Sequence, residues 1–196
     1  MVLVTGFEPF GNYSVNPSGL VAEALNGTMV GDALVVGVVL PVNFTSAVAE
    51  VNAAIDRFAP VVVVSVGLNA RLDRLAVEHW GLNLMRLPKG SGVVVRLRRL
   101  DSGGPWVRPV SIPVSECVAS LRGSGVPVRA SWWAGTYVCN AVLYGELGHV
   151  EEIGSDALVG FVHVPLLDSQ VAGGLPLALE VQGVRGVVSC CLDSVV

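Results

Sequence analysis

Short, valine-rich apolar runs that alternate with helix-like segments are the feature that most constrains the fold of this chain. Residues 34–40 and 61–66 are almost entirely apolar. Continuous apolar runs of this length are typical of strands buried on both faces, as in a parallel sheet. A membrane-spanning helix needs about 20 apolar residues, so these runs are too short to cross a bilayer, although 52% of the chain is hydrophobic.

The segments around these runs predict further elements. Asn16-Pro17-Ser18 has the composition of a helix start and predicts a helix to about Leu25. Thr45 or Ser46 is expected to cap a second helix that ends at Phe58. One face of that helix then carries Ala47, Val51, Ala54 and Ile55. Further strands are predicted at 2–5, 75–85, 126–131 and 157–164, helices at 114–121 and from Cys139 onward, a loop at 101–109, and a helix or strand at 177–192.

The alternation of strands and helices predicts an α/β fold. We expect a single domain over residues 1–196, with a doubly wound, mainly parallel sheet and helices on both faces. In such folds the functional site lies beyond the carboxyl ends of the strands. Residues 6–11, 131–139 and 163–165 leave predicted strands, so we expect them to converge at one edge of the sheet.

Charge and motifs narrow the classes of function. A net charge of −4 and the lack of a Lys/Arg cluster argue against nucleic acid as a main partner. Residues 1–4 lack the basic region of a secretory signal, so a cytoplasmic location is expected, with no membrane partner. No CxxC motif occurs, so neither a metal site nor a thioredoxin-like motif is indicated, and no cofactor is expected.

The chain has four cysteines, and three of them lie in apolar surroundings. Cys117 falls in an apolar helical pattern and is expected to be a buried core thiol. Cys190 and Cys191 fall in a run with the pattern of a strand, in which alternation would point one of them outward. This pair is either two core cysteines or includes a free thiol that is available for a bond between chains.

Cys139 is the strongest candidate for a reactive group. It follows the small-residue turn that begins at Ala134, and a helix-like run begins there. The unpaired N–H groups and the dipole at a helix N-terminus favour a thiolate over a thiol. Because a thiolate is the form that attacks carbonyl groups, Cys139 is a predicted nucleophile.

Two residues are candidates to assist this thiol. His163 ends a predicted strand just before Pro165, where its imidazole is placed to act as a general base; a structural histidine is the alternative. Glu78 interrupts an apolar strand and is a candidate to orient the imidazole; an outward-facing polar residue on an edge strand is the alternative.

Long motifs occur in order along nearly the whole chain. They are VTGFEPFG at 4–11 with NPS at 16–18, DSGGP at 101–105, SIP at 111–113, AGTYVCN at 134–140, and GFVHVP at 160–165 with Gln170 beyond. Together they resemble the pyroglutamyl peptidase I (pyrrolidone-carboxylate peptidase) family of cysteine peptidases. Several long motifs in the same order are far more specific than any single one.

The resemblance implies a Cys–His–Glu triad, in which Cys139 is the nucleophile, His163 the base and Glu78 the acidic partner. It also implies that Arg86 lies near the oxyanion. The implied substrate-pocket residues are Phe7, Phe10, Val42, Leu87, Tyr137 and Val138. The implied activity is removal of N-terminal pyroglutamyl (5-oxoproline) groups from peptides through a thioester. Members of the family are commonly homo-oligomers, so a dimer or tetramer is expected.

The chain also departs from the family pattern. Ala70-Arg71-Leu72 stands where a glycine-rich stretch is usual, and Trp132-Trp133 stands where smaller or polar residues are common. These changes motivate one alternative, a catalytically retuned or silent homologue that binds a small ligand at the same site. A second alternative, from fold analogy alone, is a nucleoside-phosphorylase-like enzyme.

Overall fold

The computed structural model describes residues 1–86 and 96–195. Its strands are β1 (Val2–Phe7), β2 (Met29–Val30), β3 (Ala33–Leu40), β4 (Val62–Leu68), β5 (Leu75–Leu82), β6 (Met85–Arg86), β7 (Leu97–Arg98), β8 (Val107–Pro109), β9 (Val128–Trp133) and β10 (Leu158–Val164). Its helices are α1 (Pro17–Leu25), α2 (Phe44–Phe58), α3 (Val114–Gly123), α4 (Val138–Glu152) and α5 (Leu177–Val195).

One mixed sheet organises the described residues. Its strand order is β2-β3-β1-β4-β10-β5-β8, with β9 paired to β5. The four central strands β3, β1, β4 and β10 run parallel to one another, and β5 runs antiparallel to β10. The valine-rich runs form β3 and β4, and every residue of β4 is buried. The prediction of a mainly parallel α/β sheet is therefore confirmed.

Helices cover both faces of this sheet, as predicted. One face packs against α1, α3 and α5, and its core includes Val64, Val162 and Cys117. The other face packs against α2 and α4, and its core includes Val63 and Phe161. The division follows from strand alternation, because neighbouring residues of a buried strand point to opposite faces.

The chain order reverses at the centre of the sheet. From β1 the chain passes through α1 to β3 on one side, and then returns through α2 to β4 on the other side of β1. Ligands of doubly wound folds bind at such a reversal, outside the carboxyl ends of the strands. The carboxyl ends of β1, β4 and β10 are therefore the expected place for a site.

Several local predictions were wrong, each for an identifiable reason. The cap of α2 is Asn43 rather than Thr45 or Ser46, because its carboxamide oxygen accepts from both of their N–H groups at 2.9 and 3.1 Å. The strand predicted at 75–85 ends at Leu82. The loop predicted at 101–109 includes β8, which pairs with β5. The segment 177–192, for which a helix or a strand was predicted, is helical, so the strand-like alternation considered for Cys190 and Cys191 does not apply.

Glu180 is a buried carboxyl group on α5. The residue is 0% exposed, and neither carboxylate oxygen has a hydrogen-bond partner within the described ranges. Burial, with a smaller contribution from the charge of Asp168, raises its pKa from 4.5 to about 8. The folded protein therefore holds a proton that the unfolded chain releases at neutral pH.

We expect this proton to make stability fall with rising pH. Between about pH 5 and pH 8, Glu180 should lower the free energy of unfolding by up to about 1.4 kcal/mol per pH unit. Glu180→Gln should remove this contribution, as measured by urea unfolding at a series of pH values. Exposed Glu23 on α1 provides the control, Glu23→Gln. An unchanged pH slope in Glu180→Gln would contradict the assignment.

Candidate active site

Cys139 is the second residue of α4, so the predicted start of this helix at Cys139 is one residue late. Gly135 precedes the helix with φ of +83°, a left-handed conformation that glycine adopts without strain. Tyr137 is the N-cap residue, in an extended conformation and without a side-chain cap. The first N–H groups of α4, including that of Cys139, have no acceptor within the helix. Such N–H groups at a helix N-terminus are available to a ligand.

Gly67, near the end of β4, forms the floor beneath the thiol. A Cβ atom added at Gly67 would lie 2.7 Å from Cys139 Sγ and 2.9 Å from the ring of Phe161. Both distances are shorter than side-chain carbons tolerate, so only glycine lets the thiol lie directly against the sheet. The sequence analysis assigned no role to Gly67. The signal it carried was a glycine within an otherwise valine-rich strand.

His163 and Glu78 lie on the same face of the sheet as Cys139. His163 pairs with Ala76 across the antiparallel β10–β5 ladder, which places Glu78 diagonally opposite the imidazole. Glu78 Oε1 lies 2.8 Å from His163 Nδ1. Glu78 is 2% exposed and His163 is 5% exposed, so the pair is shielded from solvent. Neither alternative from the sequence, a lone structural histidine or an outward-facing glutamate, fits this arrangement.

The imidazole is held in its charged form. Burial opposes the charge, but hydrogen bonds with the Cys139 thiol and the Glu78 carboxylate, together with the charges of both groups, outweigh it and raise the pKa of His163 to about 9. Because Glu78 engages Nδ1, the other ring nitrogen is left for the thiol. His163 thus lies beside both the Cys139 thiol and the Glu78 carboxylate, and its imidazole carries a proton at neutral pH.

Arg86 lies beside the start of α4. Its backbone N–H donates to the carbonyl of Thr136 at 2.8 Å. Its guanidinium donates to Tyr137 Oη at 3.0 Å and lies 5.7 Å from the centre of that ring. The structure therefore brings Arg86 and Tyr137 together at the N-terminus of the nucleophile helix. Leu87, the other residue predicted in this segment, lies outside the described residues.

The remaining pocket candidates differ in exposure. Phe7 and Val138 are 3% and 7% exposed and belong to the core that also contacts Cys139. Phe10 follows β1 and is 37% exposed, with its ring 5.7 Å from that of Tyr13. Val42 follows β3 and is 39% exposed. Two candidates thus belong to the core on the side of the sheet that carries Cys139, and two lie at the surface near the carboxyl ends of β1 and β3.

Asn140 is a connecting residue that sequence analysis did not single out. Its carboxamide accepts from the N–H of Leu82 and donates to the carbonyls of Leu82 and Leu84, each at 2.8 Å. It therefore fixes the first turn of α4 to the end of β5, the strand that carries Glu78. The available signal was an asparagine next to the nucleophile in the apolar first half of the helix.

The two departures from the family pattern lie in different places. Residues 70–72 form a largely exposed turn after β4. Trp132 and Trp133 lie on β9 and are 69% and 60% exposed, and Trp132 stacks on His79 with ring centres 5.2 Å apart. The side-chain hydrogen bond between Glu78 and His163 involves none of these residues.

Two features are absent from residues 1–86 and 96–195. No group of three or more His, Cys, Asp or Glu side chains in these ranges has the arrangement of a metal site. None of the helices in the same ranges is both long and apolar enough to cross a membrane.

Comparison with known proteins identifies the family. The family model for pyroglutamyl peptidase matches residues 1–194. The chain belongs to the pyroglutamyl peptidase family. The resemblance inferred from the ordered motifs is therefore confirmed, and neither alternative, a silent homologue or a nucleoside-phosphorylase-like enzyme, is favoured.

Individual members of the pyroglutamyl peptidase family match over almost their full length. The pyrrolidone-carboxylate peptidase of Cupriavidus necator is 35% identical over 201 residues, covering 98% of this chain and 93% of that protein. The enzyme of the same name from an Enterobacter species is 37% identical, covering 97% of this chain and 90% of that protein.

Solved structures agree with this assignment. The pyrrolidone carboxyl peptidase of Thermococcus litoralis superposes with a TM-score of 0.92 at 30% identity, covering 99% of this chain and 94% of that one. The Pyrococcus furiosus protein of the same name gives a TM-score of 0.92 at 30% identity, covering 100% of this chain and 99% of that one.

The close approach at Gly67 yields a test of the site geometry. In Gly67→Ala the new methyl group should displace Cys139 Sγ from His163. We expect alkylation of Cys139 by iodoacetamide at neutral pH to slow by about ten-fold or more, as measured by mass spectrometry of the tryptic peptide 130–185. Gly123→Ala is the matched control, because an added Cβ there meets nothing within 4 Å. Unchanged alkylation in a folded Gly67→Ala protein would contradict the floor assigned to Gly67.

Proposed function

We propose that this protein is a cysteine exopeptidase that removes N-terminal pyroglutamyl groups from peptides. The observation that carries the proposal is the buried pair of His163 and Glu78, with Nδ1 2.8 Å from Oε1, beside the Cys139 thiol in a member of the pyroglutamyl peptidase family. The three side chains supply a nucleophile, a proton donor and acceptor, and a group that orients the imidazole.

Acylation begins with attack of Cys139 Sγ on the carbonyl carbon that links the pyroglutamyl ring to the peptide. The carbonyl oxygen becomes an oxyanion, which the N–H of Cys139 and Arg86 stabilise at the positive end of α4. His163 then donates its proton to the leaving amine nitrogen. The C–N bond breaks, the shortened peptide departs, and the pyroglutamyl group remains on Cys139 as a thioester.

Deacylation reverses the proton transfer. Neutral His163 accepts a proton from water, and the resulting hydroxide attacks the thioester carbonyl. Collapse of the second oxyanion expels the Cys139 thiolate and releases pyroglutamate. Glu78 stabilises the imidazolium that forms in this step, and its hydrogen bond to Nδ1 keeps the other nitrogen directed at the thiol.

The pocket is suited to an uncharged ring. Phe10, Val42 and Tyr137 are exposed, and Phe7 and Val138 belong to the core that also contacts Cys139. We assign these residues, with Leu87, to binding of the pyroglutamyl ring. A peptide that begins with glutamine or glutamate carries an ammonium group, whose transfer into such a site is unfavourable without a partner. Specificity for the cyclised residue follows.

Two further features belong to the proposal. We expect the enzyme to act in the cytoplasm and to assemble as a homo-oligomer, a dimer or a tetramer. The wide exposure of apolar residues such as Trp106, Trp132 and Trp133 is compatible with buried interfaces. Light scattering coupled to size-exclusion chromatography measures the number of subunits.

The central test is release of aminomethylcoumarin from its pyroglutamyl amide. We expect Cys139→Ser to lower kcat/KM by at least about a thousand-fold, while the prolyl and glutaminyl amides are poor substrates of the wild-type protein. Cys190→Ser, which replaces a thiol of α5, is the matched control and should retain activity. Full activity in Cys139→Ser would refute the proposed nucleophile.

The charged imidazole predicts the alkaline limb of the pH profile. The pKa of His163 is about 9, so the imidazolium needed to protonate the leaving amine is lost as pH rises through that value. We expect kcat/KM to fall above about pH 9. Glu78→Gln removes a carboxylate that raises the pKa, and should move this limb to lower pH by about one unit.

The chain offers a control for this shift. Asp56 forms a second carboxylate–histidine pair, with Oδ1 2.7 Å from His149 Nε2. Asp56→Asn should leave the limb in place. A limb that stays near pH 9 in Glu78→Gln would show that Glu78 does not act on His163.

A further inference from the structure

Three thiols that the proposed peptidase activity does not use meet between α3 and α5. Cys117 on α3 and Cys191 on α5 are both 0% exposed, and Cys190 on α5 is partly exposed. Cys117 Sγ lies 2.7 Å from Cys190 Sγ, and the Cys117 thiol also contacts that of Cys191. We call these three residues the thiol cluster. It lies on the opposite face of the sheet from Cys139 and α4.

Cys190 is the member that reagents in solution can reach. It lines an open surface cleft of about 430 Å³ together with Pro113, Glu116, Ser120, Asp193 and Ser194. Cys117 lies directly behind it, in the core. An oxidant that enters the cleft therefore meets Cys190 first, and Cys117 is within reach to resolve the product. This order of access is what a thiol pair needs in order to form a disulfide.

A metal site does not fit the same atoms. Two thiolates bound to one zinc ion lie about 3.8 Å apart, given a Zn–S distance of about 2.3 Å and tetrahedral angles. The sulfur atoms of Cys117 and Cys190 are much closer than that. Within the described ranges no group of His, Cys, Asp and Glu side chains forms a metal site.

We propose that Cys117 and Cys190 form a reversible disulfide within one chain, which ties α3 to α5. The oxidant is a low-molecular-weight disulfide such as oxidised glutathione. The Cys190 thiolate attacks one of its sulfur atoms and expels one glutathione thiolate, which leaves a mixed disulfide. Cys117 then attacks the sulfur of Cys190 and expels the second glutathione. Two protein thiols are oxidised and one glutathione disulfide is reduced to two thiols, so atoms and electrons balance.

The surroundings make this exchange slow at neutral pH. Burial, Cys117 and the nearby carboxylates Glu116 and Asp193 raise the pKa of Cys190 to about 12. The hydrogen bond with Cys191, and then burial, raise the pKa of Cys117 as well. Because only thiolates attack disulfides, the pair responds to sustained rather than brief oxidation, and it reacts faster at alkaline pH.

The bond would stabilise the fold without altering the active site. It joins positions 73 residues apart, and closing a loop of that length restricts the unfolded chain strongly. Since both helices pack on the face opposite α4, the bond does not touch Cys139 or His163. This proposal does not depend on the peptidase activity, and its tests measure linkage and stability rather than turnover.

The linkage is tested by oxidising the protein with oxidised glutathione at mildly alkaline pH, blocking free thiols and digesting with trypsin. The sequence separates the cysteines cleanly: Cys117 falls in 100–122, Cys139 in 130–185, and Cys190 with Cys191 in 186–196. We expect a disulfide between 100–122 and 186–196 that disappears on reduction. No linked peptide, a link to 130–185, or a link between two copies of 186–196 would overturn the proposal.

Two single variants identify the partner of Cys117. Cys190→Ser should abolish the link, and the matched control Cys191→Ser should retain it. The opposite pattern would assign the bond to Cys191 and overturn the proposal. Oxidation should raise the Tm of the wild-type and Cys191→Ser proteins by roughly 10 °C and leave that of Cys190→Ser unchanged. A link without a rise in Tm would overturn the stabilising role.

Discussion

The close approach of α4 to the sheet at Gly67 is the contact on which the rest of the site depends. Side chains usually separate the backbone of a helix from that of the sheet on which it packs. Here the sulfur of Cys139 occupies space that a Cβ at position 67 would need. The same device recurs further along the helix, where Gly81 of β5 lies against the backbone of Tyr144. Glycine at both points lets α4 lie low enough for its first turn to meet the histidine of β10.

The site is assembled from elements that are far apart in sequence and run in opposite directions. Cys139 begins a helix, His163 lies near the carboxyl end of a parallel strand, and Glu78 lies within a strand that runs the other way. Glu78 lies in the middle of the antiparallel strand β5. Its backbone is held there by pairing with β9 at Glu78 and with β10 at the two preceding residues. An orienting group held in this way cannot drift as one on a loop would, which suits the task of fixing an imidazole.

The sequence was sufficient for features governed by local patterns. Valine-rich runs predicted the central strands, Asn16-Pro17 predicted α1, and the turn before Cys139 predicted the start of α4. The segment with Cys190 and Cys191 was left open between a helix and a strand, because a short apolar run suits both equally well. The cap of α2 was misplaced by two or three residues, because Asn43, Thr45 and Ser46 lie close together and are all good caps.

Features governed by distant contacts were beyond the sequence. The hydrogen bond between Glu78 and His163 joins residues 85 positions apart, and no local pattern encodes it. The family resemblance supplied that pairing in place of a physical derivation. It did not supply the role of Asn140 or the meeting of Cys117 with Cys190, since those depend on how helices pack against the sheet and against each other.

The carboxamide of Asn140 has a consequence for how the site could be observed. The N–H of Leu82 has its acceptor on the nucleophile helix rather than on a neighbouring strand. That amide proton can exchange with solvent only when α4 lifts from β5. Its exchange rate is therefore a direct measure of how often the helix that carries Cys139 undocks, recorded at a backbone position outside the catalytic triad.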